Sequence, residues 1–208
     1  MPNIVVLLSG SGSNLQALLD AQANGDLAGE VVLVVSDRAQ AYGLQRALQA
    51  GIAAAHIPLL APRGPLRQQW EQRLAGVVAC FEPDLIVLAG FMRVLSASFL
   101  ERFPERVINQ HPALLPDDGG DTVTTSSGLV IPALRGAHVV ADALRLRLPV
   151  TGCTIHRVTP RVDDGPILAR AEVPILPDDT VESLHERIKA VERRLIVATV
   201  NRLLSHTA

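Results

Sequence analysis

The sequence predicts an α/β fold: a mostly parallel sheet with helices on both faces. Three observations point there. Short runs rich in β-branched residues, such as Asn3–Leu8 (NIVVLL) and 31–36 (VVLVVS), are apolar throughout and show no polar alternation. Longer stretches with helical periodicity separate them. Over 208 residues the chain is 48% hydrophobic and 19% charged, with a mean hydropathy of +0.27, enough apolar material for one substantial core. A strand that is apolar on both faces must be covered on both, which is the situation of a parallel sheet between helical layers. With aromatics at only 3%, that core is expected to be built from Ala, Val, Leu and Ile.

In chain order, strands are predicted at 3–8, 31–36, 53–57, 85–88 and 107–109, with helices at 14–23, 42–50 and 64–80 between them. This is a Rossmann-like alternation. Right-handed crossovers place the C-terminal ends of such strands on one edge of the sheet, where chemistry-bearing residues collect. The stretches at 9–14, 90–93 and 109–111 each directly follow a strand. The second half changes character. Two strands at 151–158 and 167–173 are joined by a turn, and a long helix over about 181–203 closes the chain. His138 is expected to begin a helix. Between them, 117–132 (DDGGDTVTTSSGLVIP) is polar, has no helical period and is longer than most unstructured connections. It reads either as a small hairpin, TVTT and GLVI flanking Ser126 and Ser127, or as a surface excursion. No internal repeat is evident, and 1–208 reads as one domain with halves 1–100 and 101–208.

Charge and cysteine content exclude several classes. The net charge of −2 argues against nucleic-acid binding through the overall field. Almost all positive charge is arginine, so no polybasic membrane anchor is present, and no apolar run approaches the ~18 residues of a membrane span. Cys80 and Cys153 form no CxxC pair, and Cys153 reads as a small core residue. The opening MPNIVVLLSG reads as a strand, not as a secretory signal. The expectation is a soluble cytoplasmic protein with small-molecule partners, no nucleic acid and no membrane.

Four motifs carry the chemistry. SGSGSNLQAL, from Ser9 to Leu18, leads from a strand into a helix, with glycines for close backbone approach and free N–H groups for an anion. Ser13 and Asn14 are good capping residues. GxGxxG fails at Leu15 and no GK[ST] follows, so a phosphomonoester site fits better than a dinucleotide or triphosphate site. Asn109 and His111 in NQHPALLP are two apart after a strand and share a side, where an amide and an imidazole reach one developing oxyanion. Asp163 in VDDGPIL lies on a turn; a carboxylate there orients a histidine or simply closes the turn. Lys189 and Glu192 share a face of the last helix, either at a site or as a surface pair. His111, His138 and His156 lack HxxH or HxxxH spacing and no carboxylate completes a set, so no metal is expected. His56, His185 and His206 read as surface or edge residues.

Taken in order, SGSGSNLQAL, LAGFMRVLS at 88–96, INQHPALLP at 108–116 and VDDGPIL at 162–168 closely resemble the phosphoribosylglycinamide formyltransferase family, from residue 3 to about 203. The resemblance implies a formyltransferase fold and formyl transfer from 10-formyltetrahydrofolate to the amine of glycinamide ribonucleotide, without a metal or a covalent intermediate. It implies catalytic roles for Asn109, His111 and Asp163. It implies phosphate and substrate contacts from Ser11, Gly12, Ser13, Asn14, Arg67, Lys189 and Glu192. It implies a folate pocket lined by Met92, Arg93, Val94 and Leu95 and by Arg161 and Val162, with His156 and His138 supporting the catalytic groups. On that basis 1–100 is the phosphate-binding half and 101–208 the catalytic and folate-binding half.

The chain departs from the family at 117–132, where relatives have a short connection to the segment here formed by Arg135, Gly136, Ala137 and His138. Arg157 and Pro160 also replace an aromatic or aliphatic residue and an acid on the folate side. The alternatives are another formyl-folate enzyme, acting on a different amine or on water, and a nucleotide-binding homologue in which the insertion has spoiled catalysis. The phosphate loop favours a small phosphorylated acceptor over other amines, and intact Asn109, His111 and Asp163 argue against the spoiled homologue.

Overall fold

The computed structural model describes residues 1–205, so His206 lies outside the described residues. Seven strands form one sheet: β1 (Asn3–Leu8), β2 (Glu30–Ser36), β3 (Ala53–His56), β4 (Leu85–Leu88), β5 (Val107–His111), β8 (Val150–Arg157) and β9 (Ile167–Pro174). Their spatial order is β3-β2-β1-β4-β5-β8-β9. The first five are mutually parallel, while β8 runs antiparallel to β5 and β9 antiparallel to β8. The α/β class with a mostly parallel sheet is therefore as the apolar runs predict. Chain order leaves β1 towards β2 and β3, then resumes at β4 on its other side. The crevice between β1 and β4 is thus the switch point at which such sheets bind ligands.

The strand period of two divides β1 between two cores. Ile4, Val6 and Leu8 pack with Leu15, Leu18, Ile196 and Val200, from α1 (Ser13–Ala23) and α6 (Val181–Ser205). Val5 and Leu7 pack on the other face with Trp70, Leu74 and Val78 of α3 (Pro65–Ala79) and Phe99 of α4 (Ala97–Arg102). The aliphatic expectation holds for the first core. The second gathers Trp70, Phe91, Phe99 and Phe103, so the few aromatics are concentrated on one face. The sequence pattern left α4 unassigned; Ser96 caps it by accepting from the Phe99 N–H. The remaining helices are α2 (Tyr42–Gln49) and α5 (Val139–Arg145), with His138 in the N-cap position of α5. Only glycine fits at 152, where β8 is pressed between β9 and the polypeptide after β5: a Cβ would lie 2.1 Å from the Ala171 carbonyl oxygen and 2.6 Å from the Leu114 side chain.

Segment 117–132 contains a hairpin, β6 (Thr122–Thr124) paired antiparallel with β7 (Val130–Pro132), with Ser126 and Ser127 in its loop. Val123 and Ile131 bury against Leu114, with Ala133 and Val150 beside them. The period-two pattern of TVT and VIP supplies that single inward face, which is why the segment folds as a ribbon instead of trailing as a loop. No helix among the described residues is long and apolar enough to cross a membrane.

Candidate active site

Two clefts adjoin at the ligand edge of the sheet and share a wall of Gly90, Met92, Gln110, Pro112 and Ala137. The first, about 330 Å³, is lined by Met92, Arg93, Val94, Leu95, Arg161 and Val162, with Asn109, His111, His156 and Asp163 also on its wall. The second is lined by Gly10, Ser11, Gly12, Ser13 and Asn14 together with His138, His185, Lys189 and Glu192.

The loop after β1 is held open by its backbone. Gly12 has φ +70°, and a Cβ there would lie 2.8 Å from Gly43 Cα, so glycine is required both for conformation and for the approach of α2. Arg46 Nε donates to the Ser11 carbonyl (2.8 Å). The first helical hydrogen bond runs from the Gln16 N–H to the Gly12 carbonyl, so the N–H groups at the start of α1 have no intrahelical partner and form an anion-binding end. The N-cap itself is Gly12, with no side-chain cap; Ser13 and Asn14 begin the helix and do not cap it. Asn14 instead reaches across the molecule, donating from Nδ2 to Gln110 Oε1 (2.5 Å) and to Glu192 Oε2 (3.3 Å). Gln110 Nε2 donates in turn to Glu192. Asn14 Oδ1 is buried with no protein partner.

Glu192 is 2% exposed, and burial pushes its carboxyl pKa up to about 7, against the opposing effects of the Asn14 hydrogen bond and the positive charges of Lys189 and Arg193. A carboxyl raised in the folded state contributes stability that is complete below its unfolded pKa of about 4.5 and is lost as pH rises through about 7. The unliganded protein is therefore expected to lose stability of the order of 3 kcal/mol between those limits. Urea unfolding at pH 5 and pH 8 checks this: Glu192→Gln should flatten that part of the pH dependence, and an unchanged slope would refute it.

The trio of Asn109, His111 and Asp163, separated by up to 54 residues, meets on the first cleft's wall. His111 Nδ1 lies 3.4 Å from Asp163 Oδ2, and Asn109 Nδ2 donates to Asp163 Oδ1 at 3.5 Å. His111 Nε2 donates to the Leu134 carbonyl (2.8 Å), so a second proton on the ring goes to Nδ1, facing the carboxylate. Burial holds the imidazole pKa below its ordinary value, while Asp163 and the Leu134 carbonyl oppose it by favouring the charged ring. Burial also pushes the Asp163 carboxyl up, but the neighbouring His156 ring, the charge of His111 and the Gly136 N–H outweigh it, and its pKa is lowered. His156 donates from Nδ1 to the Arg157 carbonyl (2.8 Å), leaving Nε2 to accept from Asn109 Nδ2 at 3.1 Å. His156 thereby orients the Asn109 amide. Asp163 itself has φ +52°, a left-handed conformation that Asp tolerates better than most residues.

Not every residue lands where the resemblance implies. Arg67 does not line the anion cleft. Its guanidinium stacks 4.3 Å over the Trp70 ring and donates to the Val94 carbonyl, because α3 lies on the opposite sheet face from α1. It lines neither cleft and meets the first only through Val94. His138 lines the second cleft beside Ala137 and Lys189, away from the trio that His156 supports, because it opens α5 on the far side of the shared wall. His185 is half-buried on the lining of the second cleft, with its pKa lowered by burial and by Lys189. Its spacing of four from Lys189 on one helix was a usable signal. Gln110 was also missed, although strand alternation turns it away from Asn109 and His111 and so towards Asn14 and Glu192. Cys153 is fully buried and its thiol is pushed up to about 12 by burial, which suits a core residue. Among the described residues, no group of three His, Cys, Asp or Glu is arranged to hold a metal ion.

The chain matches the family described as formyl transferase over residues 2–200. It is 45% identical over 207 residues to a phosphoribosylglycinamide formyltransferase of Mycobacterium tuberculosis, covering 98% of this chain and 85% of the relative. The phosphoribosylglycinamide formyltransferase of Escherichia coli is 37% identical over 193 residues, 93% of this chain and 82% of the relative. The crystal structure of glycinamide ribonucleotide transformylase 1 from Symbiobacterium toebii superposes with a TM-score of 0.88 at 41% identity, covering 99% of this chain and 89% of that one.

Proposed function

The chain belongs to the formyl transferase family, and from that membership we propose that it transfers a formyl group from 10-formyltetrahydrofolate to the amine of glycinamide ribonucleotide in purine synthesis. The single observation that carries the assignment within this chain is the meeting of an amide, an imidazole and a carboxylate where two clefts of different character join. One cleft has an anion-binding helix end for a phosphate; the other has the Met92–Leu95 segment and the 161–163 loop for a pterin. A phosphate held far from the reacting centre anchors and orients the acceptor.

In this reading the substrate amine attacks the formyl carbon and the carbonyl oxygen becomes negative. Asn109 Nδ2 and the Nδ1–H of charged His111 stabilise that oxygen, and Asp163 favours the imidazolium. A water held by Asp163 relays the amine proton to the departing folate nitrogen. Lys189 and Glu192 hold the ribose and glycinamide end beside Ser11–Asn14. Arg67 joins the folate side. We take 1–208 as one cytoplasmic domain acting on small molecules.

The test is to mix the protein with both substrates and follow folate absorbance. A change that requires glycinamide ribonucleotide supports the assignment. Turnover with water alone would instead indicate a hydrolase. Nucleotide binding without turnover would indicate a non-catalytic homologue.

A further inference from the structure

The insertion stays out of both clefts: no residue between 113 and 135 lines either. It touches the candidate site from behind, at Arg135. Arg135 Nη2 donates to the carbonyls of Gly119 (3.1 Å) and Gly120 (2.7 Å), and Nη1 lies 3.8 Å from the Asp121 carboxylate. Its Nε donates to the Asp163 carbonyl (3.3 Å), and the next residue, Gly136, donates its N–H to Asp163 Oδ2 (3.0 Å). A second contact lies alongside: a Cβ on Gly119 would sit 2.5 Å from Asp164 Oδ1, so the hairpin root packs directly on the Asp163 loop. The far end of the hairpin is itself fixed, Ser126 donating from its N–H and its hydroxyl to Glu172 on β9.

We propose that the 117–132 hairpin is a brace and that Arg135 is a positioning residue, tying the hairpin root to the Asp163 loop so that the carboxylate stays against His111. The proposal rests on the reading of Asp163 and His111 as catalytic groups. A planar guanidinium suits the task because it serves several acceptors in a fixed fork, which an ammonium does not. The Asp163 loop needs such support: it is a turn between two strands with a left-handed non-glycine residue at its working position. A displacement of about 1 Å in a catalytic group costs up to roughly a hundredfold in rate.

The groups facing His111 are Asp163, His156 and Arg135; Asp164, on the same loop, pairs with Arg161. Asp163 raises the His111 pKa and Arg135 lowers it, Asp163 having the larger effect. The two roles therefore predict opposite shifts. If Arg135 holds Asp163 in place, removing it frees the carboxylate and the pKa falls. If Arg135 is only a nearby charge, removing it leaves Asp163 in place and the pKa rises.

The test compares Arg135→Ala, Arg135→Lys and a chain in which 118–132 is replaced by a short Gly-Ser turn; Arg135→Gln substitutes for the alanine variant should that fail to fold. The expected result for the alanine variant and the truncation is a kcat lowered roughly ten- to a hundredfold, with KM for glycinamide ribonucleotide within about twofold. The high-pH limb of kcat should move to lower pH, and Arg135→Lys should recover only part of the loss. Unchanged kcat, or a limb moving to higher pH with kcat retained, overturns the brace. Asp163→Ala, assayed beside them, separates the two levels. If it is inactive while Arg135→Ala keeps an unchanged kcat, the brace alone fails. If it also keeps full turnover, the reading of the site fails and takes the brace with it.

Discussion

Replacing His111 by alanine is expected to lower kcat by about two to four orders of magnitude while leaving glycinamide ribonucleotide affinity nearly unchanged. A positioned general acid or oxyanion donor supplies about that factor. His111 lines only the first cleft, whereas the anion loop lines the second, so the nucleotide loses no direct partner. The change also leaves the Leu134 carbonyl and the Asp163 carboxylate facing a small void, at a cost of about 1–3 kcal/mol in stability. His111→Gln, which keeps more of the volume, controls for that. Single-turnover rates alongside calorimetric titration with the nucleotide check the prediction; equal loss of rate and of affinity would make His111 a structural residue. In the proposed mechanism the charged imidazole is the active form, and burial keeps its pKa below the ordinary value. Activity should therefore decline, as pH rises, earlier than for a solvent-exposed histidine, and the decline should vanish in the alanine variant.

Asn14→Asp is the second large effect. Asn14 Nδ2 is the donor to both Gln110 and Glu192, and the N–H groups of its turn line the second cleft, where the proposed function places the phosphate. An aspartate removes the donor, places a carboxylate beside that of Glu192, and sets a negative charge against the phosphate. A unit charge about 4 Å from another is worth roughly 1 kcal/mol in water and 4 near a protein surface. The nucleotide KM should thus rise by between about fivefold and several hundredfold, with less change in kcat at saturation. Ser13→Asp adds the same charge one residue earlier without breaking the Asn14 bonds. It should reproduce the loss of affinity with a smaller loss of thermal stability. Nucleotide affinity that survived both changes would show that the phosphate binds elsewhere.

These two predictions use residues that are legible in the chain at different depths. Gly12 and Ser13 mark the tight turn into α1 locally, because a strand, two glycines and a helix start are written side by side. Asn109 and His111 are legible as a pair because strand alternation puts them on one side. What Asn14 does was not legible: its preference for capping is a local tendency, and a buried bond to Gln110, 96 residues away, prevails over it. Arg67 shows the same limit. Its helix is evident from periodicity, but the sheet face that the helix covers, and so the cleft its guanidinium reaches, depends on the crossover path. The pattern of the insertion alone admits a hairpin or a surface excursion. That its root grips the Asp163 loop could not be read, because Arg135 and Asp163 are 28 residues apart and their meeting requires β8 to fold back along β5.

By itself, then, the sequence determined the α/β class and the places of the principal strands and helices, and it pointed to the glycine-rich loop after β1 and to the amide, imidazole and carboxylate on which the proposed function rests. Each is recorded in local spacing, since periodicity reports which face of an element is buried and glycine reports where the backbone must turn or approach. Only the tertiary structure decided which polar side chains became partners: Gln110 between Asn14 and Glu192, His185 in the second cleft, Arg135 beneath Asp163. A buried polar group has to find a partner wherever the folded chain supplies one, and that partner is set by the path of the backbone through space, not by its neighbours in sequence.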